Sequence, residues 1–167
     1  MLYARGEKPV TSLTLLTALL DFEDAGVLDV FIDENQVRLR EQQFARGGIM
    51  PGLELANTFS SLRSNDLVWS YVVSNYLEGK SPPAFDLLYW NGDGTNLPGP
   101  MYAWYLRNMY LENNLRVPNK LVTCGQPVDL NRIQVPTYVF AAREDHIVPW
   151  KAAYASARAL PGGGKAG

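Results

Sequence analysis

Scarcity frames this sequence. A single cysteine, Cys124, excludes an internal disulfide and suits a reducing cytosol. One histidine, His146, beside that one cysteine gives no metal-binding cluster. No apolar run reaches the roughly 18 residues that a membrane-spanning helix needs. The opening MLYARGEKPV lacks the apolar core of a secretory signal. The formal net charge of -2 offers no basic face for nucleic acid. A nucleophile elbow of the form G-x-S-x-G or G-x-C-x-G is missing: Gly79-Lys80-Ser81-Pro82-Pro83 fails at its second glycine. The tail GGGKAG lacks the phosphate-loop spacing, and Leu97 stands where a dinucleotide fingerprint starting at Gly92 would need its last glycine. Internal repeats are absent.

What is present is a chain of 167 residues, 47% hydrophobic, enough for one domain or part of a larger one. Thr11 to Leu20, TSLTLLTALL, fits a buried strand ending at the polar edge Asp21-Phe22-Glu23-Asp24. Asp33 to Gln36 opens a helix to about Ala45, stopped by Gly47-Gly48. Pro51 to Leu62 reads as a short helix. Asp66 can cap the next, with Leu67, Tyr71, Val72 and Tyr76 on one inner face. Ser81 to Pro100 reads as a long ordered loop. Pro100 starts a helix to about Asn113, with Trp104 and Leu111 facing inward. Short strands follow at Leu121 to Cys124 and before Asp145.

The most informative segment is Phe140 to Trp150, FAAREDHIVPW. It continues the apolar run Val135 to Phe140, reaches Glu144-Asp145, and enters a helix through Ile147-Val148-Pro149. A strand that stops at an acid and turns into a helix is how α/β-hydrolase-type enzymes present the acid of a nucleophile–His–Asp triad, at the carboxyl edge of the sheet. Asp145 is thus a candidate catalytic acid; a solvated turn acid beside Glu144 is the plainer alternative. A Cys124–His146–Asp145 triad is rejected, because neighbours in extended chain point to opposite sides and Asp145 cannot orient His146. Cys124 reads instead as a small buried hydrophobe, and His146 as a structural hydrogen-bonding residue at the mouth of the site. Arg63, before Ser64-Asn65-Asp66, either meets a phosphate near a helix start or forms an ordinary ion pair. The aromatic residues Trp69, Tyr71, Tyr76, Tyr89, Trp90, Trp104 and Tyr105 read as core.

Several blocks, in order, resemble class I polyhydroxyalkanoate synthases: TLLTALLDFEDAGVLDVFIDE, LELANTFSSLRSNDLVWSYVVSNYL, FDLLYWNGDGTNLPGPMYAWYLRNMYLEN, LVTCGQPVDL and REDHIVPW. The resemblance covers all but the first ten or so residues and the tail after Ala159. It implies an α/β-hydrolase fold with a helical cap. It also implies a cysteine nucleophile that is acylated by (R)-3-hydroxyacyl-CoA, releases CoA, and passes the acyl unit to a growing polyester. No metal or redox cofactor is implied. The implied partners are a second copy contacting through the cap and the polymer granule surface in the cytoplasm. By resemblance, Asp145 matches the catalytic aspartate, and neither His146 nor Cys124 matches a triad member. Arg63 matches an arginine near the CoA path; a substrate-binding role extends to Arg63 and His146. Phe85 and Trp90 fall in the cap region tied to lid movement and dimer contact. The cysteine elbow and the G-H-x-x-G histidine segment of that family have no counterpart here, so the chain is expected to be an internal portion of a longer protein and inactive alone.

The expected architecture is therefore α/β: a partial α/β-hydrolase fold with few core strands and an inserted helical cap or lid. Residues 1–24 supply a core strand and its edge, and residues 25–117 the cap. Residues 118–160 supply the core strands with the acid and the following helix, and residues 161–167 a disordered tail. Two other readings stay open: a lid-bearing lipase or depolymerase fragment, or a non-catalytic cap module that binds a full-length synthase.

Overall fold

A computed structural model describes residues 2–82 and 93–162. Phe85 and Trp90, like Tyr89 and residues 163–167 of the tail, lie outside that range. The described strands are β1 (Leu13–Leu16), β2 (Ile49–Met50), β3 (Leu97–Pro98), β4 (Val122–Thr123), β5 (Gln126–Pro127) and β6 (Thr137–Phe140). The described α-helices are α1 (Glu34–Phe44), α2 (Gly52–Leu62), α3 (Gly99–Tyr105) and α4 (Trp150–Arg158). The chain divides into two compact units, Met1–Arg40 with Trp104–Gly167, and Glu41–Ala103.

The first unit is built on a parallel pair, β1 beside β6, with Leu13 opposite Thr137 and Leu16 opposite Phe140. The ten-residue apolar run around β1 yields only four strand residues. Thr17 ends it by adopting φ 46, a conformation that β-branched residues rarely take. Side chains alternate along both strands. Leu13, Leu15, Thr137 and Val139 are half-buried, while Thr14, Leu16, Tyr138 and Phe140 are exposed. Helix α4 packs against β6 and buries Ala152, Ala153 and Ser156, and Leu160 just beyond its end is buried as well. After α4 the chain returns to the strand, where the Thr137 N–H donates to the Gly162 carbonyl at 3.2 Å.

A cluster of Phe22, Met109 and Leu121, joined by Leu19, Tyr110, Leu115 and Val128, forms the core of this unit. The Phe22 ring meets Tyr110 edge-on with centroids 4.9 Å apart. Burying such a ring stabilises the unit by roughly 2–3 kcal/mol. Around the cluster runs a polar network. Asp21 is only 7% exposed, accepts from Asn113 Nδ2 at 2.8 Å and faces Arg116 at 3.3 Å. Asn113 Oδ1 in turn accepts the Phe22 N–H at 3.0 Å. Asn113 can reach both because it holds the left-handed conformation, φ 48.

Helix α1 begins as the sequence suggests: Asp33 Oδ1 accepts the N–H groups of Asn35 (2.8 Å) and Gln36 (2.9 Å). Asp66 differs. It lies inside a π-helical stretch, Asn65–Trp69, and caps nothing. This stretch and the next, Val72–Leu77, carry i→i+5 bonds such as Glu78 N–H to Val73 O. The wider winding moves residues off the face that a regular helix would present. Leu67, Val72 and Tyr76 are consequently exposed, Tyr76 at 83%, where an inner face was expected.

The second unit packs around Phe44, Met50 and Ala103, with Leu97 and Tyr102 against them. Its antiparallel pair sets Met50 opposite Leu97. Phe44 lies so close to Gly99 that a Cβ there would stand 2.2 Å from its ring. Trp69, Trp104 and Tyr105 are exposed, against the expectation of core positions; in α3 it is Gly99 and Ala103 that are buried instead. No helix among the described residues is long and apolar enough to cross a membrane.

Candidate active site

The acid loop follows directly from β6. The strand ends at Phe140, and the Asp145 N–H donates to the Ala142 carbonyl at 3.3 Å. Asp145 Oδ1 then accepts two backbone N–H groups, from Ile147 at 2.9 Å and Val148 at 3.0 Å. This is the local turn chemistry for which aspartate is suited: a short carboxylate folds back on the next residues of its own chain. Pro149, at φ -55, leads into α4. Asp145 Oδ2 has no hydrogen bond among the described residues. The half-buried carboxylate is therefore fixed through one oxygen. Glu144 is the solvated acid of the pair, its side chain 94% exposed and 4.0 Å from Arg143.

His146 is half-buried beside Asp145, and its ring makes no hydrogen bond among the described residues, so the structural hydrogen bond expected of it is not formed. Arg63 belongs to the second unit, at the end of α2, and pairs with Asp66. Its side chain is 50% exposed. Phe85 and Trp90 lie outside the described residues.

Cys124 needs a correction. It is exposed, not buried. The β4–β5 hairpin is closed by a two-residue loop, Cys124 at φ 51 and Gly125 at φ 72. Positive φ at both central residues is what a tight primed turn requires, and it turns the side chain outward.

Sequence reasoning passed over three residues that shape this region. Asp21 was read as part of a polar strand edge, yet it is buried. Ser156, fully buried, accepts the N–H groups of Leu20 (2.8 Å) and Asp21 (3.1 Å). Gly26 adopts φ 69 next to the acid loop. The only signals for them were an aspartate directly after an apolar run and a serine among alanines.

The same unit holds a cleft of about 370 Å³ lined by Phe22, Asp29, Tyr110 and Glu112 among others. Burial, then the charge of Asp24, pushes the Asp29 carboxyl up. Burial pushes the Tyr110 phenol up to about 12, helped by Tyr105 and Asp29. Glu112 is held below the usual carboxylate range by hydrogen bonds from Asn114 and then Arg107. Among the described residues, no group of three or more His, Cys, Asp or Glu is arranged to hold a metal ion.

A parallel strand pair, a carboxylate in the turn beyond the second strand and a helix packed back on it define a class. Residues 1–165 match the alpha/beta hydrolase fold family, and the chain belongs to it. Within that class, it is similar to the poly(3-hydroxyalkanoate) polymerase subunit PhaC of Cupriavidus necator, 64% identical over 165 residues, 96% of this chain and 28% of that protein. It is also similar to the poly(3-hydroxyalkanoate) polymerase of Methylorubrum extorquens, 47% identical over 87% of this chain and 24% of the relative. The PhaC subunit of Rhizobium meliloti is 41% identical over 95% of this chain and 26% of its own length. The chain thus spans about a quarter of the length of these curated relatives.

Proposed function

We propose that this chain is the cap-and-acid portion of a poly(3-hydroxyalkanoate) polymerase, an acyltransferase that polymerises (R)-3-hydroxyacyl-CoA with release of CoA. The observation that carries the reading is the free Oδ2 of Asp145, held by two backbone N–H groups on Oδ1 at the carboxyl end of a parallel strand. The relatives named above support the substrate class, since each bears the name of a polymerase and not of a lipase or depolymerase. The acid loop favours the synthase portion over a pure cap module, which has no use for such a carboxylate.

In this role Asp145 Oδ2 accepts an N–H from an imidazole supplied by polypeptide outside this chain. The imidazole's other nitrogen takes the proton of a cysteine thiol. The thiolate attacks the thioester carbonyl, the carbon–sulfur bond to CoA breaks, and the CoA thiolate leaves with the proton held by the imidazole. A hydroxyl of the growing polyester then gives its proton to the imidazole and takes the acyl group, freeing the cysteine. Asp145 keeps the ring in the correct tautomer and balances its positive charge, without itself taking the proton. Cys124 does not serve as nucleophile: it stands in a hairpin turn, and the only histidine adjoins Asp145 in sequence.

Residues 25–117 act as the cap, with Phe85 and Trp90 in its moving and dimer-contacting part and Arg63 on the CoA path. His146 lines the substrate side of the acid loop. The whole protein works as a homodimer at polymer granules in the cytoplasm. The test is an exchange. A polymerase from Cupriavidus necator that carries this chain in place of its matching segment releases CoA from 3-hydroxybutyryl-CoA, and the 167-residue chain alone does not. Release by the isolated chain, or a folded but inert exchange protein, defeats the reading.

A further inference from the structure

The acid loop has a second support besides its own hydrogen bonds. Gly26 lies against it. A Cβ at this position would stand 2.7 Å from Pro149 Cγ, 3.5 Å from Pro149 Cδ and 3.6 Å from the His146 carbonyl oxygen. Its φ of 69 independently disfavours any L side chain. Space and backbone conformation therefore both call for glycine at a point where the chain leaving β1 meets the loop that carries Asp145.

The same segment is fastened a second time. Ser156, in the body of α4, accepts the N–H groups of Leu20 and Asp21 and donates to the Ala152 carbonyl at 2.8 Å. Ser156 and Ala25 are both fully buried. Residues 20–26 thus run beside α4 from near its end, at Ser156, to its start, at Pro149. Pro149 directly follows Val148, whose N–H holds Asp145 Oδ1. The fixed φ of the proline ring leaves little slack between the two. A shift of that ring is passed to the Ile147 and Val148 amides, and through them to the carboxylate.

We infer that residues 20–26 form a brace that sets the direction of the Asp145 carboxylate, with Gly26 as a positioning residue. The catalytic meaning of the brace rests on the reading of Asp145 as triad acid; its structural meaning does not. The distinction matters because a carboxylate turned away from its imidazole loses the tautomer it enforces, although both groups are chemically intact.

Hydrogen exchange of individual amides in the 167-residue chain tests the brace. Gly26→Ala is expected to lower protection of the Ile147 and Val148 amides by about tenfold, while amides late in α4 keep theirs. The double variant Gly26→Ala, Pro149→Ala removes the ring atoms that the new Cβ would strike, and it is expected to restore protection. General destabilisation would not be repaired in this way. Should Gly26→Ala fail to fold, Ser156→Ala removes the hydrogen bonds to the Leu20 and Asp21 N–H groups without straining residue 26, and the Ile147 and Val148 amides are expected to lose protection. Unchanged protection of Ile147 and Val148 in the folded variant overturns the brace. In the exchange polymerase, Gly26→Ala should lower kcat with little change in KM. Altered exchange with an unaltered kcat supports the brace and defeats the triad reading of Asp145.

Discussion

Two charged residues of this chain, Asp145 and Arg63, are held in opposite ways. Asp145 is gripped by backbone: two N–H groups fix one carboxylate oxygen, and the other has no hydrogen bond among the described residues. Arg63 is gripped by a side chain as exposed as itself, the neighbouring Asp66. A charged group bonded to rigid main chain keeps its aim, each bond contributing about 1.5–3 kcal/mol. An exposed ion pair contributes about 0–1 kcal/mol and exchanges freely with water. Their surroundings differ likewise. The unit that holds Asp145 has a buried aromatic cluster and a polar network around Asp21. The segment just after Arg63 leaves Trp69 and Tyr76 in solvent. A fixed acid suits chemistry that needs one orientation; a loosely held cation suits attraction of a ligand that arrives from water.

That contrast can be broken by experiment. The largest effect is expected from Asp145→Asn in the exchange polymerase, about ten-thousandfold in kcat, since the amide keeps the shape but enforces the wrong tautomer. Arg63→Gln should cost only a few-fold, mostly in KM, because it removes binding common to ground and transition states. Equal losses in the two would erase the distinction. Next comes stability. Phe22→Ala should lower the unfolding free energy of the chain by about 3–5 kcal/mol in urea titration. Trp69→Ala, at an exposed position, should stay within about 0.5 kcal/mol.

Tyr110 gives a subtler check on the inner cluster. Its phenol is pushed up to about 12 from an ordinary value of 10.0, so the folded state holds that proton more tightly than the unfolded state. The resulting stabilisation is complete below pH 10 and is lost as pH rises through 12. Ultraviolet titration should show a late phenolate component, to which Tyr105 also contributes, that Tyr110→Phe reduces; an unchanged curve would mean the ring is wet. Asp66→Asn should change stability by under about 1 kcal/mol, and a larger loss would show that the Arg63 pair is more than a surface contact.

Much of the acid side was legible in the residues. REDHIVPW marks a turn whose chemistry is local, since an aspartate needs only the next three residues to fold back on itself. Asp33 at the head of α1 was legible for the same reason. What escaped depends on contacts far apart in sequence. Ser156 meets Leu20 across more than a hundred residues. Gly26 is constrained by Pro149, and nothing near either residue records the other. The helical segment after Arg63 misled for a different reason. Its apolar spacing fits a regular helix, but the backbone winds wider and the predicted inner face disperses. At Cys124 turn geometry outweighs the burial tendency of a cysteine. Strand pairing on both sides leaves two residues to reverse the chain, and a side chain in such a loop has nowhere to go but out.

The hairpin that displays Cys124 has a practical use. Since the chain owns one thiol and it faces solvent, a dye or nitroxide can be attached at a single known point without engineering. Fluorescence or magnetic resonance from that tag would report the binding of another polypeptide in real time, with the acid loop chemically untouched.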